Sequence, residues 1–145
     1  MNISSLYLQK KIMPRKPKSR KICQPPTMMG FKPFGIPADV IDFVELFYEE
    51  FESLRLVNYE GKSQEEAADI MEVSRPTLTR IYNSALKKLA EALIEGKAIK
   101  IEGGNYKFQN DWHRCKNCYK LFDDIKKHKP CKGCTQYNEH ELINL

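Results

Sequence analysis

Four cysteines fall in two pairs, Cys115-Lys-Asn-Cys118 and Cys131-Lys-Gly-Cys134, with twelve residues (119–130) between them. A C-x-x-C segment bends into a knuckle whose two thiolates grip one metal ion, and two knuckles complete a tetrahedral Cys₄ site of the kind zinc accepts without strain. Lys116, Lys120, Lys129 and Lys132 stand close in sequence and favour the thiolate forms. Gly133 permits the tight turn of the second knuckle. The twelve-residue separation is slightly below the usual zinc-ribbon range, so the intervening loop must be compact. An iron–sulfur cluster uses the same ligands, and a redox dithiol pair or disulfides are further readings. Zn²⁺ is the expected cofactor. Its role is structural, because four protein ligands leave no open position for catalysis. His113 and His128 read as bystanders, and Cys23, in a Pro-rich stretch, as a free thiol.

A second set of residues suits hydrogen bonding to a nucleic acid. Ser74, Arg75, Thr77, Thr79, Arg80, Asn83 and Lys87 are all donors, and no acid occurs from Ser74 to Ala90. On a helix entering the major groove, Arg75, Thr79, Arg80 and Asn83 are placed to read base edges, arginine on guanine and asparagine on adenine. Ser74 and Thr77 suit a phosphate at the positive end of the helix. Lys87 and Lys88 suit the flanking backbone. The plainer reading of the same stripe is a solvated polar face.

The elements that must present these donors are legible in local signals between Gly61 and Leu93. Ser63-Gln64-Glu65-Glu66 reads as a capping box opening a helix that runs to about Met71. Glu72-Val73-Ser74 is the turn. A longer helix runs from Arg75 or Pro76 to about Glu95, with Pro76 in its first turn, where a missing N–H costs nothing. Leu78, Ile81, Ala85, Leu89 and Ala92 form its buried stripe, Val73 and Leu78 its hydrophobic staple, and Gly96 its end. Ala68 is small enough to let the two helices cross closely, as a helix-turn-helix requires. The turn position often filled by glycine is Glu72, whose left-handed backbone costs on the order of 1 kcal/mol.

Upstream, Tyr48–Tyr59 reads as a helix stopped by Gly61, and Val40–Leu46 as a short strand or the start of that helix. Phe31, Phe34 and Ile36 offer the Pro-rich segment 24–38 apolar side chains to dock with. Ala98–Phe108 alternates around Gly103-Gly104 and reads as a β-hairpin. The expected organisation is a basic flexible arm (1–22), a helix-turn-helix domain (23–97), a β-hairpin or linker (98–110), a Cys₄ module (111–136) and a tail (137–145). The fold class is mainly α.

Charge supports the nucleic-acid reading. Residues 1–38 hold eight lysines and arginines and no acid, so the rest of the chain sums to −3 against a total of +5. A basic arm on a nearly neutral body is a common nucleic-acid design, although a solvated tail has the same composition. No stretch approaches the roughly 18 apolar residues of a membrane span. Residues 1–8 lack the apolar core of a secretory signal. The protein is therefore expected in the cytoplasm, at the nucleoid. Met13 could itself be the natural start.

The segments MPRKPKSRKIC, GFKPFGIP, LRLVNYEGKSQEEAADIMEVSRPTLTRI and ALKKLAEALIEGKAIKIEGG together resemble the domain-of-unknown-function 134 family (uncharacterised protein family 0251) over about residues 13–104. That resemblance implies a small prokaryotic DNA-binding protein whose helix-turn-helix is similar to the promoter-reading fourth region of primary sigma factors. Ser63, Glu66, Ala67, Ala68, Ser74, Arg75, Pro76, Thr77 and Arg80 are the family-like positions; Glu72 departs from the more usual glycine. The cysteine module does not follow from the family.

The expected function is sequence-specific binding of double-stranded DNA by a transcriptional regulator, with a homodimer and RNA polymerase as possible protein partners. The alternatives are an RNA-binding or ribosome-associated zinc protein, and a metal- or redox-responsive adaptor. An enzyme is not expected: the histidines are scattered, and there is no Gly-rich phosphate loop or recognisable nucleophile setting.

Overall fold

A computed structural model describes residues 18–116, 118–124 and 142–145. Within them three helices pack with several short strands. Strand β1 is Arg20–Ile22 and β2 is Gly30–Phe31. A single 3₁₀ turn, Ala38–Val40, leads to β3, Phe43–Leu46. Helix α1, Tyr48–Leu54, continues into a π-helical turn, Arg55–Tyr59. Helices α2, Gln64–Ile70, and α3, Arg75–Glu95, follow. The chain then forms β4 (Ala98–Ile101), β5 (Tyr106–Phe108), β6 (His113–Cys115), β7 (Leu121–Phe122) and β8 (Leu142–Asn144).

The helix ends are made by the local chemistry read from the sequence. Ser63 Oγ accepts from the Glu66 N–H at 3.2 Å, and the Glu66 carboxylate accepts from the Ser63 N–H at 2.8 Å. The Ser63 N–H foremost, and then the Ser63 side chain, hold the exposed Glu66 carboxyl below its ordinary range. Ser74 caps α3 through the Thr77 N–H, and Pro76 lies in the first turn. Gly96 ends α3 in the left-handed conformation, φ 66°. The helix read over Tyr48–Tyr59 has the expected extent, but its last turn is widened, with the Glu60 N–H reaching back to Arg55 O.

Strand β4 is central in a three-stranded sheet, antiparallel to β2 and parallel to β3. Val44 and Leu46 of β3 point inward and Phe43 and Glu45 outward, the period-two alternation of a half-buried strand. Leu46, Ala85 and Ile101 form one core, flanked by Met28, Tyr48, Phe51, Leu54 and Ile99. It fastens α1 and α3 to the sheet. Gly30 is required where β2 crosses β4, because a Cβ there would lie 2.0 Å from Ile99 O.

A second core joins the π turn, α2 and α3 through Leu56, Ala67, Ala68, Met71 and Leu78, with Val57, Ile70 and Val73 at its margin. On α3 the fully buried positions are Leu78, Ala85 and Ala92, seven residues apart, while Ile81 and Leu89 are half-buried. Leu78 is 0% exposed and packs into the gap that Ala67 and Ala68 leave. Leu78→Ala is therefore expected to lower unfolding free energy by about 3 kcal/mol, the lost transfer energy plus a cavity term; urea denaturation with an unchanged m-value checks it.

Three expectations are corrected. The segment 98–110 is not a hairpin: β4 pairs with β2 and β3, whereas β5 pairs in parallel with β1. The Gly103-Gly104 bend between them wraps the start of α1. The Tyr48 N–H donates to Gly103 O at 3.3 Å, and the Asn105 N–H donates to Glu49 Oε1 at 3.2 Å. A Cβ at Gly104 would fall 1.9 Å from Glu49 Oε2. The bend is thus held by α1, and β5 is carried away to β1, where Tyr48, Tyr106 and Phe108 form an aromatic cluster.

The arm does not extend to residue 22, because Arg20–Ile22 is a strand whose Ile22 is buried; residues 1–17 lie outside the described residues. Within the expected tail, Leu142–Asn144 pairs antiparallel with β6 to complete a sheet of order β7-β6-β8. Phe31 and Phe34 do not dock: Phe34 is fully exposed and Phe31 more than half so. Among the described residues, no helix is long and apolar enough to cross a membrane.

Candidate nucleic-acid interface

Helix α2 ends in a backbone lock that aims α3. The Glu72 N–H donates to Asp69 O at 3.1 Å and the Val73 N–H to Ala68 O at 3.0 Å. This is the Schellman pair of bonds, with Glu72 at the left-handed position, φ 55°. The turn Met71–Ser74 is also tied to β1, through the Lys21 N–H donating to Met71 O at 3.0 Å.

Three lysines converge on Glu72. Lys107 Nζ lies 3.2 Å and Lys21 Nζ 3.6 Å from its carboxylate, and Lys18 Nζ donates to its carbonyl oxygen at 3.1 Å. The Lys107 hydrogen bond, then its charge, holds the Glu72 carboxyl below its ordinary range.

The donors read from the sequence emerge beyond this turn with different fates. Ser74, Arg75, Arg80, Asn83 and Lys87 are exposed, and Thr77 and Thr79 are half-buried. Arg80, Asn83 and Lys87 recur at three and four residues and so share a face. The Arg75 guanidinium lies 3.7 Å from the exposed Glu65, a contact of little energy in water. Thr79 is tied inward, its hydroxyl donating to Gln64 Oε1 at 2.7 Å, and so fastens α2 to α3. Ser74 and Thr77 hydroxyls are 2.8 Å apart and serve the cap. Lys88, paired with Lys87 in the sequence reading, turns inward instead. Its ammonium lies 2.7 Å from Glu50 and 3.8 Å from the Phe47 ring centre.

Sequence reasoning missed the acidic face of α1. Glu49, Glu50 and Glu52 are buried. Glu50 accepts from the Phe47 N–H (2.8 Å), the Ser84 hydroxyl (2.6 Å) and Lys88. Glu52 accepts from the Arg55 guanidinium twice, at 2.8 Å each, and from the Cys23 N–H at 3.0 Å. Glu50 thus brackets α1 to α3, and Glu52 brackets it to the segment after β1. The signal was the run Glu49-Glu50-Phe51-Glu52, with no basic residue before Arg55 to balance it on a solvent face. Burial, then the neighbouring Glu52, pushes the Cys23 thiol up, which makes it a poor nucleophile.

The first cysteine pair sits on the turn between β6 and β7. The Cys115 N–H donates to Lys120 O at 3.1 Å, the Tyr119 N–H donates to Cys115 O at 2.9 Å, and Tyr119 has φ 58°. Cys115 is buried, and Cys118 packs against it beside Phe122. His113 stacks on Phe122. Arg114 is also buried and donates to Pro26 O at 2.7 Å, tying this sheet to the helical body. Cys131, Cys134 and His128 lie outside the described residues. Among those described, no three ligand-type side chains cluster as for a metal.

The family model for a protein of unknown function, DUF134, matches residues 8–109, and the chain belongs to this family. A UPF0251 protein of Thermoanaerobacter sp. strain X514 is 51% identical over 102 residues, covering 70% of this chain and 90% of that protein. One from Halothermothrix orenii is 48% identical over 111 residues, covering 77% and 82%. One from Pelotomaculum thermopropionicum is 41% identical over 131 residues, covering 90% and 99%. No solved structure matches the chain.

Proposed function

We propose that this protein binds duplex DNA sequence-specifically as a transcriptional regulator, with α2 and α3 forming a helix-turn-helix whose second helix enters the major groove. The observation that carries the reading is the exposed row Arg75, Arg80, Asn83 and Lys87 on a helix set rigidly by the locked turn and the Ala68–Leu78 packing. Arg75, Arg80 and Asn83 take the base edges and Lys87 the backbone. Ser74 and Thr77 cap α3 and share one hydroxyl proton between them, which leaves the pair a single proton to offer a phosphate. Thr79 acts as a helix-to-helix tie. The role is binding rather than catalysis, with a homodimer and RNA polymerase as further proposed partners. Selection from a random duplex pool tests it: wild-type protein enriches one motif, and the Arg75→Ala/Arg80→Ala variant does not. Equal weak binding by both would move RNA or a protein partner to the front.

Cys115, Cys118, Cys131 and Cys134 are the proposed ligands of a structural Zn²⁺. The bonds at Cys115 and the left-handed Tyr119 make a turn of the kind a metal knuckle uses, and Cys118 packs beside Cys115 there. Bound metal would supply folding energy to the small β6–β8 sheet. Elemental analysis of purified protein is expected to find about one zinc per chain. Cys115→Ser/Cys118→Ser loses it, whereas Cys23→Ser keeps it. Full occupancy in the double variant would remove this pair from the ligand set.

A further inference from the structure

We propose that Glu72 is a built-in counter-ion that occupies Lys18, Lys21 and Lys107 in the free protein and yields them to phosphates of the duplex when α3 enters the groove. The inference rests on the DNA-binding reading above and adds to it a phosphate site off the reading helix, with a residue that limits its strength. Three ammonium groups meet one carboxylate and one carbonyl, all within 3.6 Å. One carboxylate cannot neutralise three lysines, so the cluster keeps an excess positive charge. Lys18 and Lys107 are exposed and Lys21 is partly so, which leaves each able to turn to a new anion.

The place matters as much as the charge. Glu72 lies three residues before Arg75, at the end of α3 that would sit closest to base edges. The β1–β5 pair carries Lys21 and Lys107 to that end, in register opposite one another. A phosphate row beside the groove is the anion such a cluster would meet first. The turn itself gives no reason for glutamate, since glycine makes the same bend without the left-handed strain. The carboxylate supplies one: it competes with phosphate for Lys21 and Lys107 and so restrains sequence-independent binding.

Fluorescence anisotropy on the selected site and on an unrelated duplex, across a salt series, tests this in the full chain. Glu72→Gln keeps the left-handed side chain and removes the charge. It is expected to tighten binding to both duplexes by about 3-fold to 10-fold at low salt and to steepen the log–log salt slope by about one. Glu72→Gly, which also removes the strain, is expected to match it in binding. Lys21→Gln/Lys107→Gln, which removes both lysines that touch the carboxylate, is expected to flatten the slope by up to about two and to abolish the gain from Glu72→Gln when combined with it. A gain that survives in the lysine variant, or no gain at all, overturns the counter-ion role. If wild-type binding depends on Arg75 and Arg80 while Glu72→Gln changes nothing, the inference fails and the helix-turn-helix reading stands. Wild-type protein that ignores duplex DNA, or binds it without Arg75 and Arg80, overturns both.

Discussion

Glu52→Ala is expected to destabilise the protein by about 3 kcal/mol, at the lower end for breaking a buried ion pair from one side. Glu52 is 0% exposed and receives three donors, two from Arg55 and one from the Cys23 backbone. Removing it strands a half-buried guanidinium and leaves an amide without its acceptor, and an unmet buried donor costs more than the bond was worth. Arg55 keeps its contact with Glu60 and about a fifth of its side-chain surface in water, which places the loss at the low end. Glu52→Gln retains the shape and one acceptor oxygen and should lose less. Thermal or urea unfolding ranks wild type above Gln above Ala. An Ala variant as stable as wild type would mean that the bracket between α1 and the segment after β1 does not hold the fold.

The second large effect is on binding. Arg75→Ala/Arg80→Ala is expected to weaken binding to the selected duplex by at least about 30-fold, since each arginine on a base edge contributes roughly 1–3 kcal/mol of discrimination. Binding to unrelated duplex should fall much less, because the lysines proposed to meet phosphate remain. Both residues are exposed and contribute to neither core, so the variant should unfold at the same urea concentration. Equal losses on both duplexes would assign the arginines to phosphate rather than bases.

The sequence disclosed what is set by residues a few positions apart. The Ser63–Glu66 box, the Ser74 cap, Pro76, the Gly61 and Gly96 stops and the turn at Glu72 all rest on bonds within one helix end. It hid what is set by distant partners. The hairpin reading of 98–110 failed because the glycine bend is held by Glu49 and Tyr48, about fifty residues earlier in the chain. Strand β1 looked like a solvated arm because its only large apolar residue is Ile22, and β8 gave no signal because its partner is β6. In the candidate interface the exposed arginines, Asn83 and Lys87 were legible from donor type and helical spacing. The inward turn of Lys88 was not, because Glu50 on α1 decides it.

The sheet of order β2-β4-β3 has a consequence for how the protein is made. Both outer strands have β4 as their only partner in that sheet, and Ala98 meets Phe43, 55 positions earlier in the chain. As the chain is synthesised, Phe43–Leu46 leaves the ribosome with an open edge, and so does Gly30–Phe31. Neither finds its neighbour until Ala98–Ile101 has emerged. All three helices are laid down inside that waiting loop, and closing it carries an entropic cost that helix packing must first offset. The helices should therefore gain protection from amide exchange before the sheet does. A nascent chain stalled short of residue 98 would carry two unpaired strand edges, the form of this protein most open to aggregation.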